Sequence, residues 1–271
     1  MTEAYYTLEA GKYRPSVHCR GPWDPDSLSG SVVVALLAFQ IEQEVDTSEY
    51  MPARLTVDMY RLPDFSPIEI RTTLVRDGYR IKVIDAEFIS NGTSMARATC
   101  QLLRRTGNAP TRVWKPEPWK VPLPEDISVK PEFEMIGVKR RRPIDGEMGS
   151  FGQKRMWLSE NRDLVEGTTL SAWLRAVLVA DLTNPWANSG DGGLGYINSD
   201  VTLYLHRVPC DEWIGMEVTN HQATDGVAIG ECWLYDREGL IGSSSVTGLA
   251  QQRRPANDGS RSPAHSQGGK R

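Results

Sequence analysis

The chain repeats itself. Leu55–Pro63 reads LTVDMYRLP and, 146 positions later, Val201–Pro209 reads VTLYLHRVP. Each string follows a helix-like apolar segment, and each opens a run of strand-like segments. At the same offset Val33–Leu36 (VVAL) falls on Val179–Leu182 (VADL). A repeat this long exceeds a solenoid unit and specifies a duplicated domain. The duplication is also unequal. Ala35 in the first copy is matched by Asp181 in the second, so only one of the two helices carries a carboxylate. That asymmetry points to one working site per chain.

At 271 residues the chain has room for two domains of roughly 110–130 residues, each large enough to bury a core. A net charge of −4 and a pI of about 5.7 argue against a nucleic-acid-binding surface, which needs a basic excess. The four cysteines (Cys19, Cys100, Cys210 and Cys232) are widely spaced and form no CxxC, as expected of free thiols in a reducing compartment. The first residues lack a signal-peptide pattern, and no run approaches the ~18–20 apolar residues that span a bilayer. The expected location is cytoplasmic.

The segment order reads as α+β. Ser31–Val45 is a helix with apolar residues on nearly every side. Strands are expected over Arg54–Arg61, Ile68–Val75, Tyr79–Ile89 and Ser94–Arg104, with Asp77-Gly78 and Asn91-Gly92 as hairpin turns. One helix followed by an antiparallel meander is not a βαβ alternation. The expected domains are residues 1–110, a proline-rich linker over 111–131, a second domain over 132–250 and a disordered polar tail over 251–271. The second copy reads as strands over Phe133–Arg141 and Met148–Leu158. A helix follows over Thr169–Asp181, capped by Thr168 or Thr169 and stopped by Pro185. Strands then cover Tyr196–Arg207, Trp213–Asn220, Val227–Tyr235 and Leu240–Leu249, with turns at Asp225-Gly226 and Glu238-Gly239.

The sequence contains no P-loop, no HExxH, no GxSxG and no histidine pair at metal-ligand spacing, so it offers no motif for metal-assisted or covalent chemistry. Asp181 is left. Beside Leu178, Val179, Ala180 and Leu182 it reads either as a desolvated general base or as a solvent-facing aspartate at the start of a loop. A carboxylate near a helix C-terminus opposes the helix dipole, so its presence there needs a reason. Trp23, Trp173 and Trp186 read as core or interface aromatics. Asp200 and His206 read as structural strand positions. The Lys139–Arg142 run reads as a solvated strand end, with phosphate binding as the alternative.

Three stretches carry a resemblance: Gly21–Ala38 (GPWDPDSLSGSVVVALLA), Ala53–Ile81 (ARLTVDMYRLPDFSPIEIRTTLVRDGYRI), and Leu178–Trp186 (LVADLTNPW) with Gly195–Pro209 (GYINSDVTLYLHRVP). With the duplication, they resemble the acyl-CoA thioesterase II-like family, the double-hotdog thioesterases, over about residues 15–250. The resemblance implies two hotdogs, each a central helix wrapped by an antiparallel sheet, with the acyl-CoA site between them. It implies an Asp, a strand Thr or Asn and a last-strand Gln that position water, with helix N–H groups stabilising the oxyanion. Carried across, these fall on Asp181, Asn198 and Val246.

Valine cannot hydrogen-bond through its side chain, and its neighbours Ser245 and Thr247 should face the other side of the strand. The family's His-Gly-Gly before the first helix stands here as Ser29-Gly30-Ser31. Gly30, Ser31, Ser245, Val246 and Thr247 are thus the candidate oxyanion and substrate-binding positions. The implied activity is hydrolysis of a fatty or related acyl-CoA by water activated at Asp181, weakened by the two departures. The alternative is a non-catalytic acyl-CoA or acyl-chain binding protein. An enoyl-CoA hydratase is a third reading, but the Asp–His pair of those enzymes is missing near both helices. No metal or cofactor is expected, with CoA entering as part of the substrate. The sheet edges leave self-assembly open.

Overall fold

The structure, a computed structural model, describes residues 4–128 and 140–251. In chain order the first half holds β1 (Tyr6–Glu9), β2 (Lys12–Pro15), α1 (Gly30–Gln43), β3 (Tyr50–Met59), β4 (Ile68–Asp77), β5 (Ile81–Ser90) and β6 (Thr93–Arg104). The second half opens with β7 (Arg140–Asp145), β8 (Arg155–Ser159), α2 (Ala172–Ala180) and α3 (Thr183–Ala187). The short strands β9 (Ser189–Gly190), β10 (Gly193–Leu194) and β11 (Tyr196–Asn198) come next. The half closes with β12 (Asp200–Leu205), β13 (Ile214–Thr224), β14 (Val227–Asp236) and β15 (Gly239–Ala250).

Thirteen strands form one sheet in the order β1-β2-β4-β5-β6-β3-β12-β15-β14-β13-β8-β7, with β11 paired to β15. The order is palindromic about the β3–β12 seam. Advancing each paired residue by 146 carries Thr56↔Thr99 onto Thr202↔Ser245, Ala86↔Ala98 onto Cys232↔Ser244 and Ile70↔Phe88 onto Met216↔Leu234, and all of these are paired. The repeat read from the sequence is therefore a structural repeat across the four central strands of each half. At the seam Thr56 faces its own counterpart Thr202, and their hydroxyls hydrogen-bond at 3.2 Å.

The hairpin turns follow from local chemistry. Asn91 (φ 50°) and Gly92 (φ 70°), like Asp225 (φ 52°) and Gly226 (φ 80°), take the paired positive angles of a turn that matches strand twist. The helices lie against the sheet and against each other. Val32 through Ala38 and Ile41 of α1 are buried, as the all-round apolar pattern requires. Each buried Val or Leu contributes about 1.5–3 kcal/mol, which offsets the weak helix propensity of a valine run.

Several local expectations are corrected. The N-cap of α2 is Ser171, whose Oγ accepts from the Leu174 N–H at 3.1 Å; the Thr168 hydroxyl instead donates back to the Val165 carbonyl. Pro185 does not stop a helix. Helix α2 already ends at Ala180, and Pro185 sits in the first turn of α3, where a missing N–H is tolerated. Of Met148–Leu158 only the part from Arg155 is strand, because the chain turns at Gly149 (φ 93°). Tyr196–Arg207 is split at Ser199, because the register against β15 slips by one residue between Asn198↔Gly248 and Thr202↔Ser245.

The β1–β2 hairpin has no counterpart in the sequence reading. It is fastened to the second half, where the Tyr5 N–H bonds the Asp163 carbonyl and the Glu166 N–H bonds that of Tyr6. Of the strand expected over Phe133–Arg141 only Arg140 and Arg141 are described, and they open β7. The expected tail lies outside the described residues after Gln251. The proline-rich linker runs over the second half, with Trp119 stacked on Tyr235 (centroids 4.1 Å apart) and the Trp157 indole N–H bonded to the Pro122 carbonyl at 2.9 Å.

Candidate active site

Asp181 is the C-cap of α2 and is only 6% exposed. Its Oδ1 accepts from Asn198 Nδ2 at 2.9 Å, and its Oδ2 accepts from Ser31 Oγ at 3.1 Å. Asn198 belongs to β11, and its Nδ2 also donates to the Asp200 carbonyl at 3.2 Å, which fixes the amide. The one-residue slip at Ser199 is a bulge of the kind that re-aims a side chain. Ser31 belongs to α1, so the carboxylate is held by both halves of the chain.

Gly30 explains how the helix comes so close. A Cβ at this position would lie 2.8 Å from Oδ2 and 2.9 Å from Oδ1 of Asp181. Ser29, the N-cap of α1, is extended and its side chain makes no capping bond. The positive end of α1 is therefore turned to the carboxylate without a side chain between them. This resolves the conflict raised by the sequence: Asp181 opposes the dipole of its own helix but sits at the N-terminus of the other. Burial pushes its pKa above the ordinary carboxylate value, against the opposing hydrogen bonds from Asn198 and Ser31.

Two cavity lobes meet at this point. One, of about 410 Å³, is lined by Asp181, Ser31, Asn184, Met148, Leu182 and Leu194 among others. The second, of about 360 Å³, includes Leu28, Val33, Met59, Arg61 and Ile197. Trp23, Gly30 and Asn198 line both. Such an apolar cleft with a few convergent polar groups and a buried carboxyl suits a substrate with a reactive polar centre between two extended arms.

Residues 19–103 match the acyl-CoA thioesterase N-terminal domain, and residues 111–250 match the acyl-CoA thioesterase C-terminal domain. The chain belongs to the acyl-CoA thioesterase family. Its membership places it among thioester hydrolases. Solved structures of similar fold include the TesB protein of Mycobacterium avium subsp. paratuberculosis, at 15% identity and TM-score 0.66, covering 90% of this chain and 95% of that one. The acyl-CoA thioesterase II TesB2 of Mycobacterium marinum is 18% identical with TM-score 0.64, covering 92% and 95%. A hot dog fold protein of Alicyclobacillus acidocaldarius is 13% identical with TM-score 0.69, covering 92% and 96%. No curated protein sequence matches the chain. The architecture is thus the double hotdog.

Within this thioesterase the last-strand positions lie elsewhere than at Asp181. Val246 is 1% exposed and belongs to the hydrophobic core, as does Cys100, its counterpart in the repeat. Ser245 Oγ donates to Glu231, and the Thr247 N–H donates to Asp200 Oδ1 at 2.7 Å. None of the three lines either lobe. The β15 residue opposite Asn198 is Gly248, which has no side chain to offer. Asp200 clips Thr247, and His206 Nε2 meets the Leu240 carbonyl at 2.8 Å. Arg140 pairs with Glu212 and packs on Trp213, away from the cavity. Trp173 and Trp186 are core, whereas Trp23 lines the cavity.

The sequence reading missed two residues here. Ser244 Oγ donates to the Ala180 carbonyl at 2.8 Å and so holds the end of α2. Asn184 lines the Asp181 lobe and is fixed by Asn188 Nδ2 at 3.0 Å and by its own bond to the Tyr196 carbonyl at 3.1 Å. Its one signal was the Thr183-Asn184-Pro185 step, which reads equally well as a turn.

Proposed function

We propose that the chain hydrolyses acyl-CoA thioesters with Asp181 as the general base. Water is deprotonated by Asp181 as it attacks the thioester carbonyl carbon, forming a C–O bond and a tetrahedral oxyanion. The intermediate collapses with cleavage of the C–S bond. The proton held by Asp181 passes to the leaving thiolate, giving the carboxylic acid and CoA. The N-terminal N–H groups of α1 supply the donors for the oxyanion, and Asn198 and Ser31 hold the carboxylate in place. Only the chain's own residues, water and the substrate take part.

The observation that carries this reading is the buried Asp181 carboxylate set against the open N-terminus of α1. Asp181→Asn is expected to lower kcat by about 10²–10⁴, the scale of general-base loss, with the circular dichroism spectrum unchanged. Thiol release from a panel of acyl-CoAs measures it. Turnover within twofold of the parent chain removes Asp181 from the mechanism.

Gly248 opposite Asn198 favours a second reading, in which the missing last-strand amide leaves CoA-ester binding with little turnover. Losing one orienting group costs about 10²–10³ in rate. Calorimetric binding of acyl-CoA without thiol release would select that reading.

A further inference from the structure

Among the described residues lining the two lobes, Asp181 is the one anion and Arg61 the one cation, and they lie in different lobes. Arg61 is exposed, flanked by the half-exposed Tyr60 and Leu62, and its guanidinium makes no hydrogen bond or ion pair among the described residues. The repeat shows why it is free. Its counterpart Arg207 is clamped by both oxygens of the buried Asp236. The position of Asp236 in the first half is Ser90: Ser90↔Thr93 advances onto Asp236↔Gly239. Ser90 is 1% exposed and its hydroxyl has no partner. One copy keeps an arginine–carboxylate clamp, and the other keeps only the arginine, at the cavity.

We infer that Arg61 binds the phosphate groups of CoA, so that the CoA arm lies along the Arg61 lobe and an uncharged acyl group lies in the Asp181 lobe. The inference rests on the thioesterase reading above. Charge sets the direction: an anionic arm is drawn to Arg61 and repelled by Asp181, and a guanidinium suits phosphate oxygens. The opposite lobe is walled by Met148, Leu182, Pro185 and Leu194 and, among the described residues, has no cation for a charged acyl end.

The test compares an acyl-CoA, the matching S-acyl-pantetheine without phosphates, and an ω-carboxyacyl-CoA. Arg61→Ala is expected to lower the ratio of kcat/KM on acyl-CoA to kcat/KM on acyl-pantetheine about tenfold, through KM, with the difference shrinking as salt rises. Ser90→Asp, which restores the clamp, is expected to act in the same direction. Equal effects of Arg61→Ala on both thioesters overturn the inference. A loss confined to the ω-carboxyacyl substrate also overturns it and puts a substrate carboxylate at Arg61. If the parent chain hydrolyses no thioester, the thioesterase reading fails on its own. Calorimetry of CoA against pantetheine then still decides Arg61: tenfold weaker CoA binding in Arg61→Ala sustains the assignment, and equal binding ends it.

Discussion

The proton on Asp181 connects its burial to the proposed chemistry. Desolvation raises its pKa, and the donors Asn198 and Ser31 only partly oppose that. The proposed base Asp181 must be deprotonated, so kcat/KM should rise with pH through a value raised above that of an ordinary aspartate and then level off. In Asp181→Asn that limb should vanish from the pH–rate profile. The sign for stability is the reverse. The folded state binds this proton more tightly than the unfolded chain. Stability from this group is therefore present at low pH and is lost as pH rises from the unfolded value through the folded one. At neutral pH the folded chain carries a buried charge at a cost, and Asp181→Asn is expected to raise the urea midpoint while lowering turnover. A lower midpoint in the variant at pH 7 would show that the carboxylate stabilises the fold.

At the scale of elements, the break between α2 and α3 makes the proposed site. In the first copy the helix runs unbroken past Ala35 to Gln43; in the second it ends at Ala180, and the turn exposes Asp181 to the cavity. Ser244 secures that end by bonding the Ala180 carbonyl. Ser244→Ala leaves a buried acceptor unpaired and should cost about 1–3 kcal/mol in denaturant unfolding, with a fall in kcat as the helix end loosens. An unchanged unfolding free energy would mean that another donor replaces it. The strands were legible because alternation of period two and the Asn-Gly and Asp-Gly turns are local signals. The carboxylate was legible because the repeat isolates it against Ala35. The helix break was not, because Pro185 is compatible with both a stop and a first turn. The aim of Asn198 depends on a one-residue slip of register, which leaves no mark in composition, and the core place of Val246 becomes plain only when β6 and β15 are aligned.

At the scale of the molecule, the pseudo-two-fold at Thr56–Thr202 implies a second location equivalent to the proposed active site, and apolar side chains stand there. Where the proposed site has Asp181, Asn198, Ser31 and Gly30, the repeat places Ala35, Pro52, Val177 and Ala176, and all four are buried. None of those side chains donates or accepts a hydrogen bond. Calorimetry with a CoA thioester is therefore expected to give one ligand per chain. Ala35→Asp should not create a second site. Its carboxylate would lack the partners that hold Asp181, and an unpaired buried charge costs about 3–5 kcal/mol, enough to lower the denaturation midpoint sharply. A stoichiometry of two, or an Ala35→Asp chain with parental stability and added turnover, would show that the first copy kept a cavity. One expected outcome with the other would separate the two claims: a single ligand with a tolerated Ala35→Asp would mean that the first-half core can hydrate without binding substrate. The asymmetry of the two copies then has one physical basis: Ala35, Val177 and Ala176, which stand at the first location, also belong to the core on which α1 presents its N-terminus to Asp181.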